Sequence, residues 1–254
     1  MKDHGNGSQR PPLGILMLEG KMSVEPGCMA SEATFPYPVV RHTVKGSCTP
    51  LSAEEAWAML PLYVEAAREL EAQGVGAITA NCGLIALMQK ELAAVVKAPV
   101  ATSGLLLVPT LHRLLGGKRI GILTFFTHAV SERNYNASGW SETEIPIALG
   151  GVGESEAWLE FLRTKEIPPA LRVRLEADLL ATARGLLEQH PDIGGFVSEC
   201  TMLPTCLPAI RRELGMPVWD ILTLLDLTMA GHFRPADLGA GVHAGAAHAV
   251  GAGA

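Results

Sequence analysis

Apolar residues fall in short unbroken runs, each followed by a segment with helical spacing. Leu13-Gly-Ile-Leu-Met-Leu18 is one run, Gly74-Val-Gly-Ala-Ile-Thr-Ala80 a second, Gly121-Ile122-Leu123-Thr124 a third and Ile193-Gly-Gly-Phe-Val-Ser198 a fourth. Runs this short, apolar on both faces, read as parallel strands buried beneath helices. Ser52-Ala-Glu-Glu55 is a capping box that predicts a helix over 53–73, with Pro61 as a kink or break and Gly74 as its stop. Further helices are predicted over 84–97, 103–115, 131–140 and around 207–214, with a closing helix over 222–231. Pro169 opens a long charged one that reaches Gln189. Short strands are predicted over 99–102, 118–125 and 217–221.

The runs repeat one design. Ala80-Asn81-Cys82-Gly83 and Ser198-Glu199-Cys200-Thr201 each end a strand in a polar residue and a cysteine. Seventeen residues after each cysteine comes Pro-Val, at Pro99-Val100 and Pro217-Val218, and each block has an upstream partner strand. The fold class this predicts is α/β, two similar parallel-sheet domains with a cysteine at the carboxyl end of one strand in each. Domain boundaries are expected at 13–103 plus 219–238, carrying Cys82, and at 104–218, carrying Cys200. Residues 1–12 and the Gly/Ala/His-rich 239–254, with His243 and His248, read as disordered tails.

Between the first strand and the capping box lies a long irregular segment, 19–50. Connections of that length usually serve or cover a site. Its Arg41, His42 and Lys45 read either as contacts for an anionic substrate or as ordinary charges on a solvated edge strand, the second being the simpler. Gly150-Gly-Val-Gly153 lacks the spacing of a nucleotide-binding loop.

Composition narrows the class. A chain of 254 residues, 48% hydrophobic, can fill one large core or two small ones. A net charge of −6 argues against nucleic acid or an anionic membrane as partner, and the run 104–109 is far too short to span a bilayer. Five cysteines without close pairing, and a polar start without a signal-peptide core, predict a reduced, cytoplasmic protein. No His/Cys spacing suggests a metal site. Cys28, Cys48 and Cys206 lack the motif context of the other two and read as surface or packing residues.

A cysteine between a strand end and a helix start meets open amides and the positive end of the helix, which lowers a thiol pKa from about 8.5 toward neutrality. Two such cysteines facing one cleft suit a carbon acid: one removes the α-proton and the other returns a proton to the opposite face. Cys82 and Cys200 are therefore the candidate catalytic pair. Asn81, Gly83, Thr124, Thr127, Glu199 and Thr201 are the candidate substrate-binding residues; capping and packing are the plainer roles for Asn81, Glu199 and the two threonines near 124.

With these motifs in hand, the chain resembles the aspartate/glutamate racemase superfamily, which includes the hydantoin racemases, over roughly residues 13–227. The resemblance rests on Ala80-Asn81-Cys82, Glu199-Cys200-Thr201, the two partner strands and both Pro-Val segments. It implies a pseudo-twofold pair of α/β domains, an active site between them, and racemisation or epimerisation without a cofactor by Cys82 and Cys200. The implied substrate is a small molecule, a carboxylate or cyclic amide, and a homo-oligomer is expected. Gly83-Leu84 after the first cysteine and Met202 after the second Cys-Thr depart from the glutamate and aspartate enzymes, which makes a hydantoin-like substrate as plausible as an acidic amino acid. Arylmalonate decarboxylases and maleate isomerases of the same superfamily, each using one cysteine, are the enzymatic alternatives; a non-catalytic small-molecule binder is the third.

Overall fold

The computed structural model describes residues 11–232. The two expected tails lie mostly outside the described residues, as do His243 and His248 and the end of the first predicted domain.

The first half comprises β1 (Leu13–Leu18), β2 (Val39–Val44), α1 (Ala53–Ala72), β3 (Ala77–Ala80), α2 (Gln89–Val95), β4 (Val100–Ala101) and α3 (Val108–Leu114). The second comprises β5 (Arg119–Thr124), α4 (Glu132–Ala137), β6 (Ile147–Gly151), α5 (Glu156–Thr164), α6 (Pro169–Gln189), β7 (Ile193–Ser198), α7 (Leu207–Leu214) and β8 (Val218–Trp219), followed by α8 (Ile221–Met229). All pairings are parallel, in two four-stranded sheets of matching order, β2-β1-β3-β4 and β6-β5-β7-β8.

The central strands are buried on both faces: β1 and β3 have no exposed residue. Helix α8 returns to the first sheet, where Ile221, Leu225 and Met229 pack with Leu13, Ile15 and Ala77. The largest apolar core is shared between halves, joining Leu16 and Ile78 of the first sheet to Ile120, Ile122 and Val197 of the second. Burial of this continuous core, at about 25 cal/mol per Å² of apolar surface, is what holds the two sheets together.

Several sequence expectations are corrected. Helix α1 runs unbroken through Pro61, which lies on its exposed face near the exposed Trp57. There the Trp57 carbonyl that loses its helical partner can turn to water. The helix capping itself is as read, Ser52 Oγ accepting from the Glu55 amide at 3.1 Å. The helix predicted over 84–97 begins as a 3-10 segment, Gly83–Met88, before α2, and that over 103–115 begins likewise with Gly104–Leu107. Strand β6 was hidden in the glycine-rich stretch. Its glycines answer to packing, since a Cβ on Gly150 would meet Leu186 and Thr182 at 2.8 Å. Of the two readings of 41–45, the edge strand holds: Arg41 binds the carbonyls of Met29 and Ser31 at 3.0 Å, and His42 faces Glu69 at 3.4 Å.

Candidate active site

The carboxyl ends of β1, β3, β5 and β7 converge, and ligands of open α/β sheets bind at such edges. Here they border a cavity of about 290 Å³ on which both Cys82 and Cys200 sit. Cys82 is buried and Cys200 partly so. The walls are mostly apolar, with Leu18, Met22, Leu84, Phe125, Phe126 and Met202 around the two thiols.

Segment 19–50 closes one side. It crosses to the second half, where Glu25 pairs with Arg172 at 3.1 Å, Lys21 with Glu166 at 2.8 Å, and Gly27 packs against the backbone of Thr205. Gly27 needs its φ of +97°, a conformation that only glycine adopts without cost. Met22 of this segment lines the cysteine cavity.

The two cysteine turns interlock reciprocally. Thr201, after the second cysteine, donates its hydroxyl to the carbonyl of Asn81, before the first, at 2.5 Å. Gly83, after the first cysteine, lies against Glu199, before the second: a Cβ on Gly83 would stand 2.0 Å from the Glu199 carbonyl oxygen and 2.4 Å from its Oε1. Close approach of the two turns thus accounts for glycine at position 83, which also lines the cysteine cavity.

The remaining candidates are placed as follows. Asn81 Oδ1 accepts from the Leu18 amide at 2.8 Å, tying β3 to β1, and its Nδ2 points at Met22 Sδ. Thr124 lines the same cavity and donates its hydroxyl to Glu199 Oε2 at 2.6 Å. Thr127 lies outside the cysteine cavity; it borders a separate one of about 370 Å³ with His128, Gly151 and Glu154, because Phe126 stands between them. Cys28 and Cys206 are buried in the apolar core of the second half, and Cys48 is exposed.

The electrostatics also correct the sequence. Burial, reinforced by the Glu199 carboxylate, pushes the Cys82 thiol up to about 12, against the pull of the Leu84 and Ile85 amides. Burial, Glu199 and Cys82 likewise push the Cys200 thiol well above its ordinary value, against the amides of Met202 and Leu203. The expected depression fails because burial outweighs the two amides that each following 3-10 segment supplies. Burial also lifts the Glu199 carboxyl to about 7, with the Thr124 hydroxyl opposing. Glu199 is 2% exposed and its Oε1 has no hydrogen-bond partner.

Lys165 lines the cysteine cavity and is a candidate that sequence reading missed. It follows α5, a helix that was not predicted. No spacing rule links it to either motif. Phe125 and Phe126, by contrast, directly follow β5 and were findable as a strand end.

The two-domain α/β fold is shared with solved arylmalonate decarboxylase and racemase structures. Among solved structures, a glycine-to-cysteine mutant of arylmalonate decarboxylase in a sulfate-associated form superposes with a TM-score of 0.62 at 22% identity, covering 89% of this chain and 97% of that one. Glutamate racemase from Francisella tularensis with D-glutamate gives 0.55 at 15% identity (88% and 82%), and an aspartate racemase homologue from Pyrococcus horikoshii 0.56 at 15% (85% and 98%). At these identities the likeness is one of fold.

By sequence, the chain is similar to a dimethylsulfoniopropionate lyase from Durusdinium sp. clade D, 26% identical over 226 residues, covering 86% of this chain and 74% of that protein. It is also similar to dimethylsulfoniopropionate lyase 5 of Emiliania huxleyi, 28% identical over 181 residues, 65% of this chain but 35% of that one. No protein-family model matches the chain. Among the described residues no cluster of His, Cys, Asp or Glu is placed to hold a metal, and no helix is long and apolar enough to cross a membrane.

Proposed function

We propose that the protein is a cofactor-independent carbon-acid enzyme in which Cys200 removes a proton α to a carboxylate, and that turnover is completed by expelling a β-leaving group, a lyase reaction. The observation that carries it is the pair of thiols on one apolar cavity beside a carboxyl with an unpartnered oxygen. Cys200 is assigned as base because it is the more exposed of the two cavity cysteines.

Burial and Glu199 keep both thiols un-ionised near neutral pH, and an un-ionised thiol is not a base. Glu199, Cys82 and Cys200 repel one another's charges, so the cluster readily holds one negative charge at most. A substrate with a cationic β-substituent changes this balance. Its charge, seated against Phe125 and Phe126 and near Glu199, favours the thiolate over the thiol. A substrate carrying two carboxylates would disfavour it.

Dimethylsulfoniopropionate, the substrate named for the similar lyases, has that form: a carboxylate at one end and a sulfonium on C3. Cys200 takes the C2 proton, the C2–H electron pair becomes the C2–C3 double bond, and the C3–S pair leaves with neutral dimethyl sulfide. Acrylate remains, and the proton passes from Cys200 to water.

Racemisation is the second reading, favoured by one specific observation. A second thiol, Cys82, occupies the equivalent place on the same cavity, which an elimination does not require. The test is to incubate the protein with dimethylsulfoniopropionate and follow dimethyl sulfide and acrylate, and in parallel to follow optically active amino acids and hydantoins in deuterated water. Elimination without α-exchange of the chiral compounds supports the first reading. Loss of optical rotation with α-deuteration and no acrylate replaces it by the second.

A further inference from the structure

We propose that Lys165 is the carboxylate anchor of this site, holding the substrate so that its α-carbon lies against Cys200. The inference rests on the carbon-acid reading above and names the residue that recognises the acid.

Lys165 caps α5 in the left-handed conformation, φ 60°, and is the one non-glycine residue with positive φ among the described residues. Its amide donates to the Phe161 carbonyl at 2.8 Å, closing the helix. Glycine or asparagine usually fills such a cap, and strained backbone of this kind gathers at functional sites. The side chain borders both the cysteine cavity and an adjoining small one, of about 40 Å³, beside Cys28. Among the described residues it is the only cationic side chain lining either.

The ammonium has no anionic partner among the described residues. Glu166 is paired with Lys21 and Glu25 with Arg172, and Glu199, on the same cavity, bonds Thr124 through Oε2 and forms no ion pair with Lys165. Burial lowers its pKa, opposed by the Cys200 and Cys28 thiols, so Cys200 is within electrostatic reach. A partly desolvated, unpaired ammonium on a cavity wall is complementary to an arriving carboxylate.

Reaction geometry requires this neighbourhood. The acidic carbon is one bond from its carboxylate, so whatever holds the carboxylate must sit beside the thiol that takes the proton. As the proton leaves, negative charge moves onto the carboxylate oxygens. A cation fixed there stabilises the enolate more than the ground state.

Haloacetates test the anchor independently of turnover. In iodoacetate the carbon attacked by sulfur is α to a carboxylate; iodoacetamide presents the same carbon without the charge. The Cys200 thiolate bonds the methylene carbon as iodide leaves, and peptide mass mapping reads the modified residue. In the wild-type protein, iodoacetate is expected to alkylate Cys200 at least 10-fold faster relative to iodoacetamide than it does the exposed Cys48. Lys165→Gln and Lys165→Gly should reduce that ratio about 10-fold, and Lys165→Arg should keep most of it. Lys165→Gly also relieves the positive φ, so its melting temperature should be no lower than wild type, which separates lost anchoring from lost fold.

An unchanged ratio in both neutral variants overturns the anchor, as does a Cys200 that iodoacetate does not favour in the wild type. If the ratio behaves as expected but no dimethyl sulfide is formed, the elimination falls and the anchor stands. If dimethyl sulfide forms equally well in Lys165→Gln, the elimination stands and the anchor falls.

Discussion

The two halves use the residue before the cysteine in the same way and to opposite electrical effect. In each, that residue reaches sideways to the end of the neighbouring strand: Asn81 to the Leu18 amide at the end of β1, Glu199 to the Thr124 hydroxyl at the end of β5. Asn81 is a neutral amide whose oxygen is satisfied by a backbone donor. Glu199 is a carboxyl with one oxygen engaged and the other bare against Gly83. The same architecture thus makes one half a strut and the other the titrating wall of the cavity. Repetition of backbone does not imply repetition of chemistry.

The largest effect should come from breaking the equivalence of the thiols. Cys200→Ser is expected to lower turnover of the true substrate by about 10²–10⁴-fold, the usual contribution of a positioned base. Cys82→Ser should leave at least a tenth of an elimination activity. Equal loss in both variants, measured as initial rates of acrylate release, would make the halves chemically equivalent and favour the racemase reading.

Next is the interlock. Gly83→Ala drives a methyl into the Glu199 backbone, where the near contact is a carbonyl and cannot yield as a flexible side chain would. A loss of about 3 kcal/mol or more is expected, read by urea unfolding. The reciprocal contact is gentler: Thr201→Ala removes one buried hydrogen bond to Asn81, about 1 kcal/mol. If the two variants unfold at equal urea concentration, the reciprocity is not the constraint described here.

Glu199→Gln makes the second half electrically like the first. The folded-state carboxyl lies near 7, above its ordinary 4.5, so the native protein binds more protons than the unfolded chain across that interval. Stability from this group is therefore full below about pH 4.5, falls as pH rises toward 7, and levels beyond it. The whole decline is about 3 kcal/mol, taking 1.36 kcal/mol per pH unit. The glutamine variant should lack this slope in urea midpoints measured from pH 4.5 to 8. It should also raise the iodoacetamide reactivity of both cavity cysteines at pH 8, since the carboxylate that repels their thiolates is gone. A slower reaction in the variant would contradict that electrostatic account.

The smallest effect is expected at Thr127. It faces a different cavity, so Thr127→Val should change turnover less than 3-fold and stability by under about 0.5 kcal/mol, as for most substitutions outside a network.

Much of the fold was legible because its signals are local. The buried runs at 13–18 and 77–80, the Ser52 cap, the Pro169 start and the Cys-to-Pro-Val spacing each follow from nearby residues, and the structure places strands and helices there. Strand β6 was not legible because its glycines read as a loop until Leu186 and Thr182 are seen pressing on them. The cysteine pair could be picked out from its repeated context, but its ionisation could not. Thiol pKa depends on burial and on a carboxylate delivered from a strand end more than a hundred residues from Cys82.

The sequence alone determined two α/β repeats, the strand ends that carry Cys82 and Cys200, and the presence of polar residues beside them. Hydrophobic periodicity and capping depend on residues within a turn or two, so they survive reading in one dimension. Tertiary structure decided which polar groups face the cavity and in what charge state. It brought Gly83 against Glu199, bonded Thr124 to Glu199 and Thr201 to Asn81, sent Thr127 to another cavity and swung Lys165 in from an unpredicted helix end. Electrostatic energy depends on distance and desolvation in three dimensions, and no spacing along the chain encodes either.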